Sequence, residues 1–464
     1  MSNKKSRTGR GNEIDMLRGS LWDKILVYSL PLAATGILQQ LFNAADVAVV
    51  GRFTGSLGEA CMAAVGACSP IVGLVLNFFV GISLGSNVVI ANAIGRRDFD
   101  QVHRAVHTSV LISLIGGVLI AIAGELLAKE ILMMMHVPVE VLPMAVDYLR
   151  IFFLGMPVIL LYNFEAAIYR GVGDTRTPLI ALVISGVLNV ILNLFFVIVL
   201  GMTVDGVATA TVLSNIISAV MMFILLCRSD AEIRIRRQEM RIDRGALGRI
   251  MRIGLPSGIQ MAVFAVANVI IQAAINSLGT VVMAASSAAL NIEIIAYYVL
   301  NSFSQACTTF VGQNNGAGNL ARCKRTMLIC IGEDAIALGI SVGVILLLGH
   351  QILSLFNGNA QVISVGYQRL VIIFSAYIFS MLYEIMSGYL RGFGISVLPA
   401  ILTVIGVCGV RITWIYTVFP VHHTFRTIMM AYPASLFATA VLIFLAVLIR
   451  RPAKVRTERS PSHA

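Results

Sequence analysis

Twelve stretches of this chain stay apolar for unusually long runs. They lie near 25–50, 60–91, 107–128, 145–169, 178–200, 206–227, 251–276, 281–311, 327–349, 362–390, 397–419 and 428–449. Each approaches or exceeds the ~20 residues that a helix needs to cross ~30 Å of hydrocarbon. Backbone in lipid must satisfy its own hydrogen bonds, so apolar runs of this length predict helices. The pattern therefore predicts an all-α polytopic membrane protein with twelve transmembrane helices.

Charge placement orients those helices. Most of the 34 Lys and Arg fall before the first run, after each even-numbered run, or in the closing segment. The alternate loops hold only Arg52, Lys129 and Arg426. Basic loops stay on the cytoplasmic side. Both termini are thus expected in the cytoplasm of a multi-pass protein, in a bacterial inner (plasma) membrane. The basic N-terminal segment carries about 24 mostly polar residues ahead of a run that contains Pro31, Gln39, Gln40, Asn43 and Asp46, which is no signal-peptide pattern.

An internal repeat then divides the chain. "SLGEACMAA" at 56–64 returns as "SLGTVVMAA" at 277–285, a shift of 221 residues. The same shift pairs "RGVG" at 170–173 with "RGFG" at 391–394, Pro178 with Pro399, and Arg104 with Arg325. Six spans per copy is an even number, so both copies start on the cytoplasmic side. The halves are parallel, a plan known among transporters. The expected organisation is an N-terminal tail (1–24), an N-lobe (25–227), a cytoplasmic linker (228–250), a C-lobe (251–449) and a C-terminal tail (450–464). The charged linker is expected to be helical and to lie on the anionic inner leaflet.

Composition narrows the function. Hydrophobic residues make up 58% of the chain and charged ones 12%, about half the usual charged share of a soluble domain. The net charge of +11 sits in short blocks with no aromatic interleaving, so no nucleic-acid partner is expected. Seven Cys form no CxxC pair, and neither a disulfide framework nor a structural metal site is implied. The Gly-rich stretches follow no strand and lack Gly-Lys-Ser/Thr, so they are not phosphate loops. No nucleophile or metal constellation of an enzyme appears, and no cofactor is expected.

What remains are polar groups inside apolar runs, which are costly in lipid and point to function. Gln39, Asn43 and Asp46 fall on one face of the first helix. They offer oxygen ligands for a hard cation; alternatively, Asp46 alone is a proton site. Ser185, Asn189 and Asn193 recur every four residues on the fifth span, as ligands or as interhelical glue worth ~1 kcal/mol. On the eighth, Glu293, Tyr297, Asn301 and Gln305 also recur at fours, with Glu293 about 18 Å from the outer end at 1.5 Å per residue. Glu384 on the tenth span is a further candidate, with Arg411 on the eleventh as its expected counter-charge.

Several of these segments resemble the multidrug and toxic compound extrusion (MATE) exporters. The similar stretches are "LPLAATGILQQLFNAADVAVVGRF" at 30–53, "RGVGDTRTP" at 170–178, "VDGVATAT" at 204–211, "GQNNGAGN" at 312–319 and "GVRITWIY" at 409–416. The resemblance spans nearly the whole chain. It implies a V-shaped pair of six-helix lobes, working as a monomer, that rock to export cationic or amphipathic drugs and dyes in exchange for Na⁺ or H⁺. Asp46 matches the first-helix aspartate with which such exporters couple ions. Many of them carry aspartate where this chain has Asn193, so a Na⁺ site here would rest on Asp46 with the neutral Asn193. A lipid-linked saccharide flippase of the same superfamily is the alternative, disfavoured because the spans hold only Arg150, Arg369 and Arg411.

Overall fold

The structure is a computed structural model, and it describes residues 12–229 and 232–455. Of the tails' basic residues, Lys4, Lys5, Arg7, Arg10, Arg456 and Arg459 lie outside the described residues.

No strand occurs among the described residues. The first half contains α1 (Trp22–Phe53), α2 (Gly58–Arg96), α3 (Phe99–Met134), α4 (Leu142–Leu154), α5 (Met156–Val172), α6 (Arg176–Leu194) and α7 (Val204–Arg228). The second contains α8 (Arg244–Asn276), α9 (Thr280–Gly316), α10 (Leu320–Leu347), α11 (Gly349–Phe356), α12 (Ala360–Ser375), α13 (Tyr377–Gly392), α14 (Val397–Thr403), α15 (Val410–Thr417) and α16 (Phe425–Arg450). Ten spans are long and apolar enough to cross a membrane singly, with α14 and α15 forming one of them. The pairs α4–α5 and α12–α13 are apolar enough only when taken together, and they bend by 49° and 48° at their breaks. Counting each bent pair as one span gives twelve among the described residues, the number the hydrophobic pattern predicts.

The two bends occupy repeat-related places, because Gly155 and Ala376 at the breaks are 221 residues apart. The repeat extends to the caps. Asp98 and Asn319 each accept a hydrogen bond from the backbone N–H three residues on, opening α3 and α10. Gly173 and Gly394 both turn the chain at positive φ, 101° and 81°, after α5 and α13.

Contacts sort the chain into two compact units. One comprises residues 12–19 and 34–229, with the linker up to Ile250; the other comprises Ser20–Ala33 and everything described from Met251 on. The first helix is therefore divided: its opening turns belong with the second unit, whereas a lobe of 25–227 would keep them with the first. Within that second unit Tyr28 touches α9, with its hydroxyl 3.0 Å from Thr309 Oγ1 and its ring edge-on to Phe310.

Packing in each unit uses small residues to bring helices close. In the first unit a Cβ on Gly117 of α3 would sit 2.3 Å from Pro157 Cα, so only glycine admits the bent α4–α5 span there. In the second, a Cβ on Gly388 of α13 would sit 2.6 Å from Ser304 O on α9. Apolar side chains on the outer faces, such as Leu119, Leu126, Ile340 and Leu347, are exposed. That placement suits a lipid solvent.

The linker is helical only from Arg244 on, where α8 begins, and the helical expectation is corrected for the residues before it. Between Ser229 and Arg244 the described residues form one short 3-10 turn, Arg237–Glu239. The sequence "IRIRR" at 233–237 alternates with period two, as an extended segment does. Ile233 and Ile235 are buried and Arg234 and Arg236 are exposed. This segment docks on α3. Arg236 N–H donates to His107 Nε2 at 3.0 Å, and Asp243 N–H donates to Thr108 Oγ1 at 3.1 Å. His107 Nδ1 lies 2.7 Å from the His103 carbonyl, which makes Nδ1 the protonated nitrogen and leaves Nε2 free to accept. Glu239 completes a His103–His107–Glu239 group, but both His107 ring nitrogens are already engaged.

A testable consequence follows from one backbone hydrogen bond of about 1 kcal/mol. His107→Leu should speed tryptic cleavage at Arg234–Arg241 by roughly fivefold in detergent-solubilised protein. Equal rates for mutant and parent would contradict the docking.

Candidate functional site: a buried carboxylate in one unit and arginines in the other

Two helices of the first unit are started by aspartates. Asp174 accepts from the backbone N–H of Arg176 and Thr177 at 2.9 and 3.0 Å, and from the Thr177 hydroxyl, which opens α6. Asp205 accepts from Thr203 N–H and Oγ1 at 2.9 and 3.0 Å, at the start of α7. The "RGVGDTRTP" and "VDGVATAT" stretches are thus helix-starting devices, and they set the register of the polar stripes that follow.

Those stripes meet α1 at Asp46, which is only 9% exposed. Asn193 Nδ2 donates to Asp46 Oδ1 at 2.5 Å and to Asn189 Oδ1 at 3.3 Å. The Thr211 hydroxyl on α7 lies 3.2 Å from Asp46 Oδ2 as donor, and Asn189 Nδ2 donates to Thr211 Oγ1 at 3.3 Å. No cationic side chain stands within ion-pair distance of Asp46 among the described residues. Asn193 Oδ1 is buried and has no hydrogen-bond partner among the described residues. Two carboxylate oxygens, two amide oxygens and a hydroxyl therefore gather in one place, a donor set that suits a hard monovalent cation or a single proton.

Gln39 and Asn43 do not join this group. Both are exposed, and neither hydrogen-bonds Asp46. The reason is helical phase. Phe42 packs against Gly186 of α6, and Asp46, one turn on, meets Asn193 two turns further along α6. Asn43 lies about 60° off that packed stripe at 100° per residue.

The second unit holds a different cluster. Arg369 on α12 is 2% exposed; its Nη1 donates to Ser286 Oγ at 2.7 Å and its Nη2 to Glu293 Oε2 at 2.9 Å, both on α9. Below Glu293 the polar stripe of α9 is chained to itself. Asn301 Nδ2 lies 3.5 Å from Tyr297 OH, and Gln305 Nε2 donates to Asn301 Oδ1 at 2.6 Å.

Glu384 does not pair with Arg411, contrary to expectation. Arg391, two helical turns along the same helix, places Nη2 3.5 Å from Glu384 Oε2 and 3.2 Å from Ser304 Oγ. The residue spacing explains it, since i and i+7 share a helix face. Arg411 instead lies over the Tyr432 ring, 4.1 Å from its centroid, with Nε donating to Ser435 Oγ at 2.9 Å.

Several residues escaped sequence reasoning. Thr211 is visible in retrospect, because Thr211, Asn215 and Ser218 mark a polar face on α7. Arg391, Tyr432 and Ser435 gain meaning only from their neighbours in space. Glu165 on α5 and Glu333 and Asp334 on α10 are buried acids whose carboxylate oxygens have no hydrogen-bond partner among the described residues. Acids inside apolar runs were a usable signal for all three.

The family can now be stated. The MatE family model matches residues 31–195 and 256–417, one match in each half. The chain belongs to the MatE family and is a multi-pass membrane transporter. It is 26% identical over 437 residues to the probable multidrug resistance protein YoeA of Bacillus subtilis, covering 92% of this chain and 93% of that protein. It is also 26% identical to the probable multidrug resistance protein NorM of Thermotoga maritima, over 84% of each chain. Among solved structures, an outward-facing multidrug resistance MATE transporter of the MOP superfamily superposes with TM-score 0.87 at 25% identity, over 96% of this chain and 99% of that one.

Breaking one partner of the Arg369–Glu293 pair should strand a buried charge. Arg369→Met alone should destabilise the protein by about 3–5 kcal/mol. The double change with Glu293→Gln should restore most of the melting temperature. A double variant as unstable as the single one would show that the pair is not what Arg369 serves.

Proposed function

We propose that this protein is a secondary antiporter that exports amphipathic small molecules, cationic drugs and dyes among them, in exchange for Na⁺ or H⁺. Its place would be the bacterial inner membrane, with both termini cytoplasmic. The observation that carries the reading is Asp46, buried in a membrane span, hydrogen-bonded by Asn193 and Thr211 and lacking a cationic partner among the described residues.

The physical logic is competition. A carboxylate in such a setting is costly unless a cation or proton occupies it. Asn193 cannot titrate, so the site holds a single ionisable group and accommodates one compensating charge at a time. Asn193 Oδ1, without a partner, and Thr211 Oγ1 are oxygens available to an incoming Na⁺. A proton on Asp46 would satisfy the same charge with fewer ligands. If the occupied and vacant site favour different arrangements of the helices, ion entry and cargo release are linked by population shift. Such alternation is the plan of repeat-built transporters. The names of the relatives, multidrug resistance proteins of two bacteria, support the same cargo class.

The test is reconstitution. Proteoliposomes loaded with ethidium and given a Na⁺ or an H⁺ gradient should move dye against its gradient under one of them. Asp46→Asn should lower that gradient-driven rate at least tenfold at normal expression. A folded Asp46→Asn protein that transports at the parental rate would remove the reading.

A further inference from the structure

Three arginines are buried in the second unit: Arg369, Arg391 and Arg411. Two of them face carboxylates, Arg369 with Glu293 and Arg391 with Glu384. Arg411 does not. No carboxylate of the described residues stands within ion-pair distance of it. It is only 9% exposed and lies in the span Val397–Thr417. A guanidinium carries a permanent charge and cannot escape the cost by becoming neutral. A permanent cation without a counter-charge inside a membrane span needs a partner from elsewhere.

Its orientation says where that partner would sit. The Tyr432 ring lies against the guanidinium at 4.1 Å, and Arg369 stands 5.6 Å from the same ring. Nε donates to Ser435 Oγ, which itself donates to the Tyr432 carbonyl at 2.9 Å. The planar group is therefore held at one edge and over one aromatic ring. Among the described residues neither Nη atom is engaged in a hydrogen bond. They form the end-on fork with which arginine takes a carboxylate or phosphate bidentately. Aromatic Tyr432 beside the fork would favour a ligand whose acid is attached to a flat apolar body.

We propose that Arg411, held by Tyr432 and Ser435, is an oxyanion-binding site of the second unit that takes the carboxylate or phosphate of an amphipathic aromatic molecule. The first unit offers a cation site at Asp46, and the second offers its opposite. The inference deepens the export reading and rests on it for one thing only, namely that cargo reaches the second unit. It would make zwitterionic and acidic amphiphiles cargo alongside cationic ones.

Binding without any gradient tests the site separately from coupling. The full-length protein in phosphatidylcholine nanodiscs is titrated with pyrenebutyrate, its neutral methyl ester and the cationic pyrenebutylamine, followed by fluorescence. The parent should bind the acid about tenfold more tightly than the ester, the expected worth of a charge-assisted bidentate contact. Arg411→Gln should lose that preference and keep pyrenebutylamine binding, which shows that the variant is folded. Arg411→Lys should keep part of the preference, as a point charge without the fork. A parent that binds acid and ester alike overturns the proposal, as does an Arg411→Gln protein that retains the full preference. Displacement of the dye by phosphatidylglycerol in the disc would support the oxyanion site with a lipid headgroup as its source. Insensitivity to that lipid, with the acid preference intact, assigns the oxyanion to the exported solute. If ion gradients fail to drive ethidium while the acid preference holds, the antiport reading falls and this site stands.

Discussion

The structure turns on one carboxylate that the protein itself leaves uncompensated. Asp46 sits in a membrane span with two side-chain donors, Asn193 and Thr211, and no cation within ion-pair distance among the described residues. Neutral hydrogen bonds soften the cost of burial but do not cancel a charge. Much of the first unit's architecture serves to hold those donors. Asp174 and Asp205 start α6 and α7 in the correct phase, and Gly186 lets Phe42 pack so that Asp46 arrives opposite Asn193. A one-residue slip in either helix would swing its donor about 100° away.

The second unit treats charge differently, although it descends from the same repeat. Glu293 pairs with Arg369 and Glu384 with Arg391, whereas the buried acids Glu333 and Asp334 have no ion-pair partner among the described residues. Arg411 has no acid within ion-pair distance, just as Asp46 in the first unit has no cation, among the described residues. The scaffold is shared down to the bent spans at Gly155 and Ala376 and the paired caps at Asp98 and Asn319, while the interior chemistry has diverged. Backbone devices are constrained by packing in both copies; interior polar residues are free to specialise.

That contrast explains what could be read in the residues alone. The twelve spans and the repeat are legible because lipid imposes long apolar runs and duplication copies spacing. Asp46, Asn189 and Asn193 stand out because polar groups at helical spacing are rare in such runs. Gln39 and Asn43 share that pattern, yet packing at Phe42 turns them outward. Side-chain pairing is much less legible. Arg391 was hidden by its place near the end of α13, where a basic residue is ordinary, and Arg411 had a nearer-looking partner in Glu384 than the fold provides. The linker misleads because its charged composition suggests a helix, while the alternation of Ile233 and Ile235 records its docking on α3.

The central claim is that Asp46 must carry a cation or proton that departs when cargo binds, or the reverse. Displacement can be read directly in weakly buffered solution with purified protein, following proton release by an indicator and Na⁺ release by a selective electrode as ethidium is added. The account predicts about one proton or one Na⁺ released per ethidium bound, with no release from Asp46→Asn. Ethidium binding with neither ion released, in a protein that transports it, would contradict the account.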